Sequence, residues 1–258
     1  MGKLRFVPLW LTYAFLYVPI LVVVAMSFNA GTSPYVFEGF SLKWYGELAG
    51  NARIGEGLVN TLVVAAGTTV LATVLGTLLA VGLARYSRSR LLDAVSLMPA
   101  VLPDLIIAIG LLMLYTVVEF TLGLWSVTIA HTVFAMAFVA AVVRTRLTHA
   151  DTSLEEASRD LGAGAVRTFV RITLPQLLPG IVAGALLAFT LSVDEFVIAF
   201  FTIGPTEQTL PIVIYSMLRV GVKPEVNALA SIMLLVSFTA VIAGQRLTKI
   251  GESRRAHD

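Results

Sequence analysis

The chain has 258 residues, of which 57% are hydrophobic and only 13% charged, against about 25% charged in an ordinary soluble domain. A net charge of +2 gives no basic surface for a nucleic-acid partner, and the lack of cysteine excludes disulfides, thiolate nucleophiles and cysteine-bound metals. What fits is an apolar chain with several membrane-crossing helices, each needing about 20 apolar residues.

In chain order the pattern predicts six spans. The first, Leu9 to Phe28 with Pro19 inside it, follows Lys3 and Arg5. A charged start before an apolar run also fits a signal peptide. This run is longer than the usual core of about 7–15 residues and lacks a small-x-small cleavage site, so it is read as a retained helix. The segment Asn29 to Gly57 carries Pro34, Trp44 and Tyr45. The aromatic pair suits the lipid–water boundary; contact with an external partner protein is the other reading. The second span, Leu58 to Ala84, is rich in small residues (Ala65, Gly67, Ala72, Gly76, Ala80), which allow close backbone approach between helices. The third, Ala94 to Val118, is broken by Pro99 and Pro103, and the fourth is Leu124 to Val143.

A polar insert follows, from Asp151 to Pro179. Ser153 with Glu156 fits a capping box that starts a short helix to Leu161. Gly162 and Gly164 break it, and a second short helix, Ala165 to Ile172, is expected to stop before Pro175. So charged a segment stands outside the lipid. The fifth span is Gly180 to Ile203 and the sixth Ala228 to Leu247.

Positive charge assigns the sides. Lys3 and Arg5, then Arg85, Arg88 and Arg90, then Arg144, Arg146, Arg159, Arg167 and Arg171, then Arg246, Lys249, Arg254 and Arg255 fall on one side. The other side has Lys43, Arg53, Arg219 and Lys223. Both termini and the polar insert are therefore expected in the cytoplasm.

No catalytic constellation emerges. His131, His149 and His257 are far apart, with no metal-ligand spacing, and His131 reads as a hydrogen-bonded packing residue. There is no GxxxxGK[ST] phosphate loop, so any ATP that powers the chain is bound with its magnesium by another subunit; no cofactor and no metal is expected in this one. The informative charges lie inside spans: Asp104 after Pro103, and Asp194 with Glu195 in LSVDEFVIAFF. A carboxylate at a helix centre in lipid costs about 2.5–3.5 kcal/mol, so such groups face a cavity, a partner or a solute path. Each also has a structural reading: Asp104 as a helix-start carboxylate, Asp194 as a cap at a kink, Glu195 as the partner of a group on a neighbouring helix.

Glu156-Ala157-Ser158, three residues, Gly162, nine residues, Ile172, one residue and Leu174-Pro175 resemble the EAA loop of bacterial ABC importer permeases; the departure is Ser158, where the family usually has a second alanine. LMPAVLPDLIIAIGLL, FTLSVDEFVIAFFTIGP and TLPIVIYSMLRVGVKPEVNALASIML are similar to the PotC-type permease subunit of spermidine/putrescine importers. The resemblance covers most of the chain from Leu58 onward. It implies an all-α membrane protein of six transmembrane helices, of the type I importer (MetI-like) kind, with cytoplasmic termini. Residues 1–258 are then one permease domain, and 144–178 its coupling loop. The implied partners are a homologous second permease, two copies of an ABC ATPase, a periplasmic or extracytoplasmic solute-binding protein and the lipid bilayer. The implied location is the bacterial inner membrane. Glu156, Ala157, Ser158, Arg159, Gly162, Ile172, Leu174 and Pro175 are then the ATPase-coupling residues, with Glu156 and Arg159 one turn apart on one face.

A polyamine path should alternate carboxylates with aromatic faces. Asp104, Asp194 and Glu195 supply the first, Trp44, Tyr115 and Tyr215 are candidates for the second, and Ser192 is a possible hydrogen-bonding group. Importers of ferric iron and other small solutes have similar permeases, and an acidic path argues against anions. Two other classes compete: a secondary transporter or channel acting alone, which should show inverted repeats, and a structural membrane protein, which has no need of the in-span carboxylates.

Overall fold

The computed structural model describes residues 7–86, 89–221, 223–236 and 238–239, and nearly all of them are helical. Backbone contacts divide the chain into two units, residues 56–213 and residues 1–55 with 214–258.

The helices of the first of these units are α3 (Ala52–Tyr86, from residue 56 on), α4 (Arg90–Leu97), α5 (Asp104–Val117), α6 (Leu124–Leu147), α7 (Thr152–Asp160), α8 (Ala165–Thr168), α9 (Leu174–Asp194) and α10 (Val197–Thr202). α6 is the central rod. Its Ala135, Val139, Ala140 and Val143 pack with Ala72, Ala80 and Val81 of α3 and Leu177 and Ala188 of α9. Glycines bring the three backbones together. A Cβ on Gly76 would lie 2.8 Å from the Met136 carbonyl oxygen, one on Gly180 2.9 Å from Arg146 Cβ, and one on Gly184 3.1 Å from Val139 Cγ1. Between lipid-embedded helices such contact replaces the hydrophobic drive that water supplies to soluble proteins. A second cluster joins Ile107 and Ala108 of α5, Ala130 of α6 and Ile198 of α10.

The other unit holds α1 (Val7–Met26), α2 (Lys43–Gly50), most of α11 (Leu210–Val220) and α12 (Pro224–Val236). Its connecting loop is built on Asn29. The Asn29 Oδ1 accepts from Gly31 N (3.2 Å) and Glu38 N (2.8 Å), while Nδ2 donates to Ser33 O (3.0 Å) and Val36 O (2.8 Å). Trp44 is buried there and its indole N–H donates to Asn29 O at 2.8 Å, so it packs within the loop rather than standing out as a boundary anchor.

Four described helices are long and apolar enough to cross a membrane: Pro8–Met26, Ala52–Tyr86, Leu124–Leu147 and the run Ala165–Asp194. Arg90–Ala100 with Asp104–Val117 makes a fifth if counted as one span, bent by 99° between them. The bend sits where Pro99 and Pro103 interrupt the ladder, as the sequence predicts. Of the expected sixth span, Ala228 to Leu247, the first part lies in the helix Pro224–Val236, while residues 237 and 240–247 lie outside the described residues, as do Lys3, Arg5, Arg88, Arg246, Lys249, Arg254, Arg255 and His257.

Three boundaries differ from expectation. α3 starts at Ala52, six residues ahead of the predicted Leu58, because hydropathy marks the lipid-matched part of a helix and its polar first turns carry Arg53 and Glu56. The helix from Ala165 does not stop before Pro175. It widens into a π turn at Phe169–Thr173 and runs on through Pro175 and Pro179 to Asp194. Proline cannot donate to the ladder and its ring crowds the carbonyl four residues back; here that carbonyl belongs to Arg171, inside the π turn, where the ladder is already opened. The predicted fifth span, Gly180 to Ile203, is in fact two helices, α9 and α10, parted at Glu195–Phe196.

Candidate functional site

Two arrangements in the unit 56–213 carry the candidate residues. The first is the polar loop after α6. α7 is capped by Asp151, not by the predicted Ser153. The Asp151 Oδ1 accepts from Ser153 N (2.9 Å) and from the Ser153 hydroxyl (2.6 Å), and these bonds hold its carboxyl below the ordinary range. The other end of α7 closes at Gly162, whose φ of +81° suits only glycine without strain and whose N–H donates to Arg159 O at 2.8 Å. The Ser158 hydroxyl lies 3.1 Å from that of Thr168, joining α7 to α8. Ala157 and Pro175 are exposed, Ile172 and Leu174 half-buried.

The neighbouring glutamates of α7 differ in burial. Glu156 is exposed; Glu155 is buried at 7% exposure. The Glu155 Oε1 is paired with Arg85 at the end of α3 and accepts from the buried Thr173 hydroxyl at 2.7 Å. Arg159 pairs with Glu155 as well, at 3.8 Å, and lines one cleft with Glu156. Glu155, Arg85 and Thr173 escaped sequence reasoning. The available signal was the doubled glutamate on a helix whose neighbours point about 100° apart, so that one of the two had to turn inward.

Burial alone would raise the Glu155 carboxyl, but the hydrogen bonds from Thr173 and Arg85 and the charges of Arg85 and Arg159 outweigh it and hold it below its ordinary value. A depressed carboxyl contributes stability that is present above its unfolded pKa and is lost as pH falls through the lower folded value. The thermal midpoint of the purified protein is therefore expected to drop on acidification through that window, and to drop less in Glu155→Gln. An equal drop in both proteins counts against the buried pair.

The second arrangement is the break between α9 and α10. Glu195 bridges it: Oε1 accepts from Ile198 N and Oε2 from Ala199 N, both at 3.0 Å, so the carboxylate caps α10. His131 of α6 lies behind, its Nε2 3.3 Å from Glu195 Oε2 and its Nδ1 2.8 Å from the Ser192 hydroxyl. His131 and Ser192 are buried. Asp194, the last residue of α9, is exposed. Asp104 opens α5, against which α10 packs, and lies within electrostatic reach of Glu195. The break thus gathers Asp104, Ser192, Asp194 and Glu195, with His131 added. Glu195 has the structural role weighed for it, a partner on a neighbouring helix, and caps the kink as well. Tyr115 is buried, its hydroxyl donating to Ser126 O at 2.9 Å, and packs rather than lining a path. Trp44 and Tyr215 belong to the other unit, Trp44 buried and Tyr215 41% exposed.

Comparison with known proteins gives one answer. Residues 72–256 match the family described as binding-protein-dependent transport system inner membrane component. The chain is 39% identical to the putrescine transport system permease protein PotI of Escherichia coli (strain K12), over 98% of this chain and 94% of that one. It is 40% identical to the spermidine/putrescine transport system permease protein PotC of the same strain, over 92% and 90%. Among solved structures, the inward-facing MetNI methionine ABC transporter shares its fold with a TM-score of 0.61 at 24% identity, over 76% of this chain and 93% of that chain. A bacterial ABC transporter that imports alginate matches with 0.68 at 14% identity, over 96% and 95%.

Proposed function

This chain belongs to the family of inner membrane components of binding-protein-dependent transport systems, and on that premise we propose that it forms half of the translocation path for a small cationic solute, a polyamine such as putrescine or spermidine. As a member it is a permease subunit of a type I ABC importer and not an enzyme; ATP is hydrolysed by a separate subunit. The observation that carries the solute class is the likeness, over more than nine tenths of the chain, to two permeases named for polyamines. The gathering of Asp104 and Asp194 beside the α9–α10 break supports it, since multiply charged amines need carboxylates along an otherwise apolar route.

In this reading the whole chain is one six-span domain of the bacterial inner membrane, with both termini in the cytoplasm. It pairs with a homologous permease, receives solute from a binding protein and meets two ATPase copies. The loop 144–178 couples it to them. Glu156, Ala157, Ser158 and Gly162 dock, while Leu154, Leu161 and Val166, apolar and exposed, supply a surface for the ATPase to cover. Closure of the ATPase pair moves α7, and because α8, the π turn and α9 are continuous, that movement reaches the α9–α10 break without slack. Alternating access follows if the break opens to one side in each state.

The experiment is solute-stimulated ATP hydrolysis by the reconstituted complex, screened with spermidine, putrescine, other cationic amines and ferric iron, each with its binding protein. Stimulation by a polyamine is expected. Stimulation by another solute keeps the permease and withdraws the polyamine. Within the same assay, Asp104→Asn with Asp194→Asn should cut polyamine uptake while the four-part complex still co-purifies; unchanged uptake would remove both carboxylates from the path.

A further inference from the structure

α7 is fixed to the membrane helices at more than its own end. Glu155 reaches inward from α7, Arg85 reaches to it from the last turn of α3, and Thr173 meets it from the π turn that opens α9. The Glu155 Oε1 takes both partners at once, and Arg85 Nη2 also lies 3.4 Å from the Thr173 hydroxyl, closing a triangle among three elements. Arg159 adds a second positive charge at 3.8 Å from Oε2. Glu155 and Thr173 are buried, and the Arg85 side chain is 25% exposed. A buried pair with an auxiliary hydroxyl fixes geometry, because any displacement of one member leaves a buried charge without its partner. Arg85 also completes the negative end of the α3 dipole, so it is held in place at its own root.

Chain continuity alone would let α7 drive only α9. We propose that Arg85 and Glu155 are positioning residues that make α3 a second driven helix, its end travelling with α7 as one rigid body through the transport cycle. This rests on the reading of α7 as the element that docks on the ATPase. The consequence is that the α7 movement enters the close-packed α3–α6–α9 layer from two sides, and α6 is carried between them.

The reconstituted complex tests this. Glu155→Gln keeps shape and removes charge. It is expected to assemble and hydrolyse ATP, with uptake per ATP reduced about tenfold, within the span usual for coupling between sites. Arg85→Gln should give the same fall and the double variant no further fall, since both remove one interaction. A second measurement does not alter the pair. Tyr86 and Thr152 line one cleft with Arg85 and Glu155 and are exposed, and the chain has no cysteine. Tyr86→Cys with Thr152→Cys, bridged by a short bis-maleimide, should transport as well bridged as unbridged. Loss of transport on bridging means that α3 and α7 separate during the cycle and overturns the proposal. So does wild-type uptake per ATP in an assembled Glu155→Gln complex. If Glu155→Gln does not assemble, the bridged protein decides. An unmodified complex whose ATP hydrolysis no solute stimulates strikes the importer reading itself, a result distinct from either of these.

Discussion

Leucine in place of Gly76 will leave little folded protein in the membrane. A Cβ at this position meets the Met136 carbonyl oxygen and Val139 Cβ, both at 2.8 Å. A carbonyl oxygen in the ladder of α6 cannot rotate away, so α3 and α6 must part along their contact. Val139 also touches the backbone face of Gly184 in α9, which passes the displacement to a third helix. Overpacking a core costs about 1–3 kcal/mol when side chains can adjust, and more when backbones must move. That is a large share of the roughly 5–15 kcal/mol that holds a typical domain together. Gly82 is the internal control, because its Cβ would meet nothing within 4 Å. The yield of monodisperse protein in detergent should collapse for Gly76→Leu and stay near wild type for Gly82→Leu. Matching yields would falsify the packing described for α3 and α6.

Glu195→Ala should cost far more stability than Asp194→Ala, although the two residues are adjacent. Glu195 supplies the acceptors for two N–H groups at the start of α10 and faces the buried His131 ring. Its loss orphans both amides and leaves the ring's Nε2 without its neighbour. Removing one member of a buried pair costs about 3–5 kcal/mol. Glu195→Gln keeps a carbonyl oxygen for one amide and should fall between. Asp194 is exposed, so its removal should lower uptake and spare the thermal midpoint. The measurement is the midpoint of each purified variant beside its uptake in vesicles. An Asp194 variant less stable than the Glu195 variant would mean that the break is held by other groups.

What the sequence disclosed and what it hid divide along a physical line. Apolar length and positive charge mark helices that meet lipid, so the cores of the early spans and the bend at Pro99 and Pro103 were legible. The polar loop was legible by its spacing, and Gly162 by its need for a positive φ. Side-chain partners across elements were not. Glu155 and Glu156 are the same residue type on the same short helix, and only the approach of Arg85 from seventy residues away decides which of them turns inward. Asp151 took the cap that the Ser153–Glu156 pattern suggested, because its carboxylate, two residues earlier, accepts from the Ser153 amide and ties up the Ser153 hydroxyl. Pro175 read as a stop because the π turn that accommodates it has no composition of its own. In LSVDEFVIAFF the carboxylates stood out, but hydropathy runs unbroken through the point where Glu195 ends one helix and caps the next.

The π turn sets a phase. One additional residue in a helix rotates everything before it by about 100° relative to everything after it. The face that α8 offers to α7 and the face that α9 offers to α6 are therefore related by a residue count across 169–173, independent of which residues stand there. A deletion of one residue in this turn would relax it to a regular helix, preserve every motif letter outside it, and swing Thr173 and the whole of α9 out of step with Glu155. Among related chains, length through this short stretch is accordingly as strict a requirement as any side chain in it.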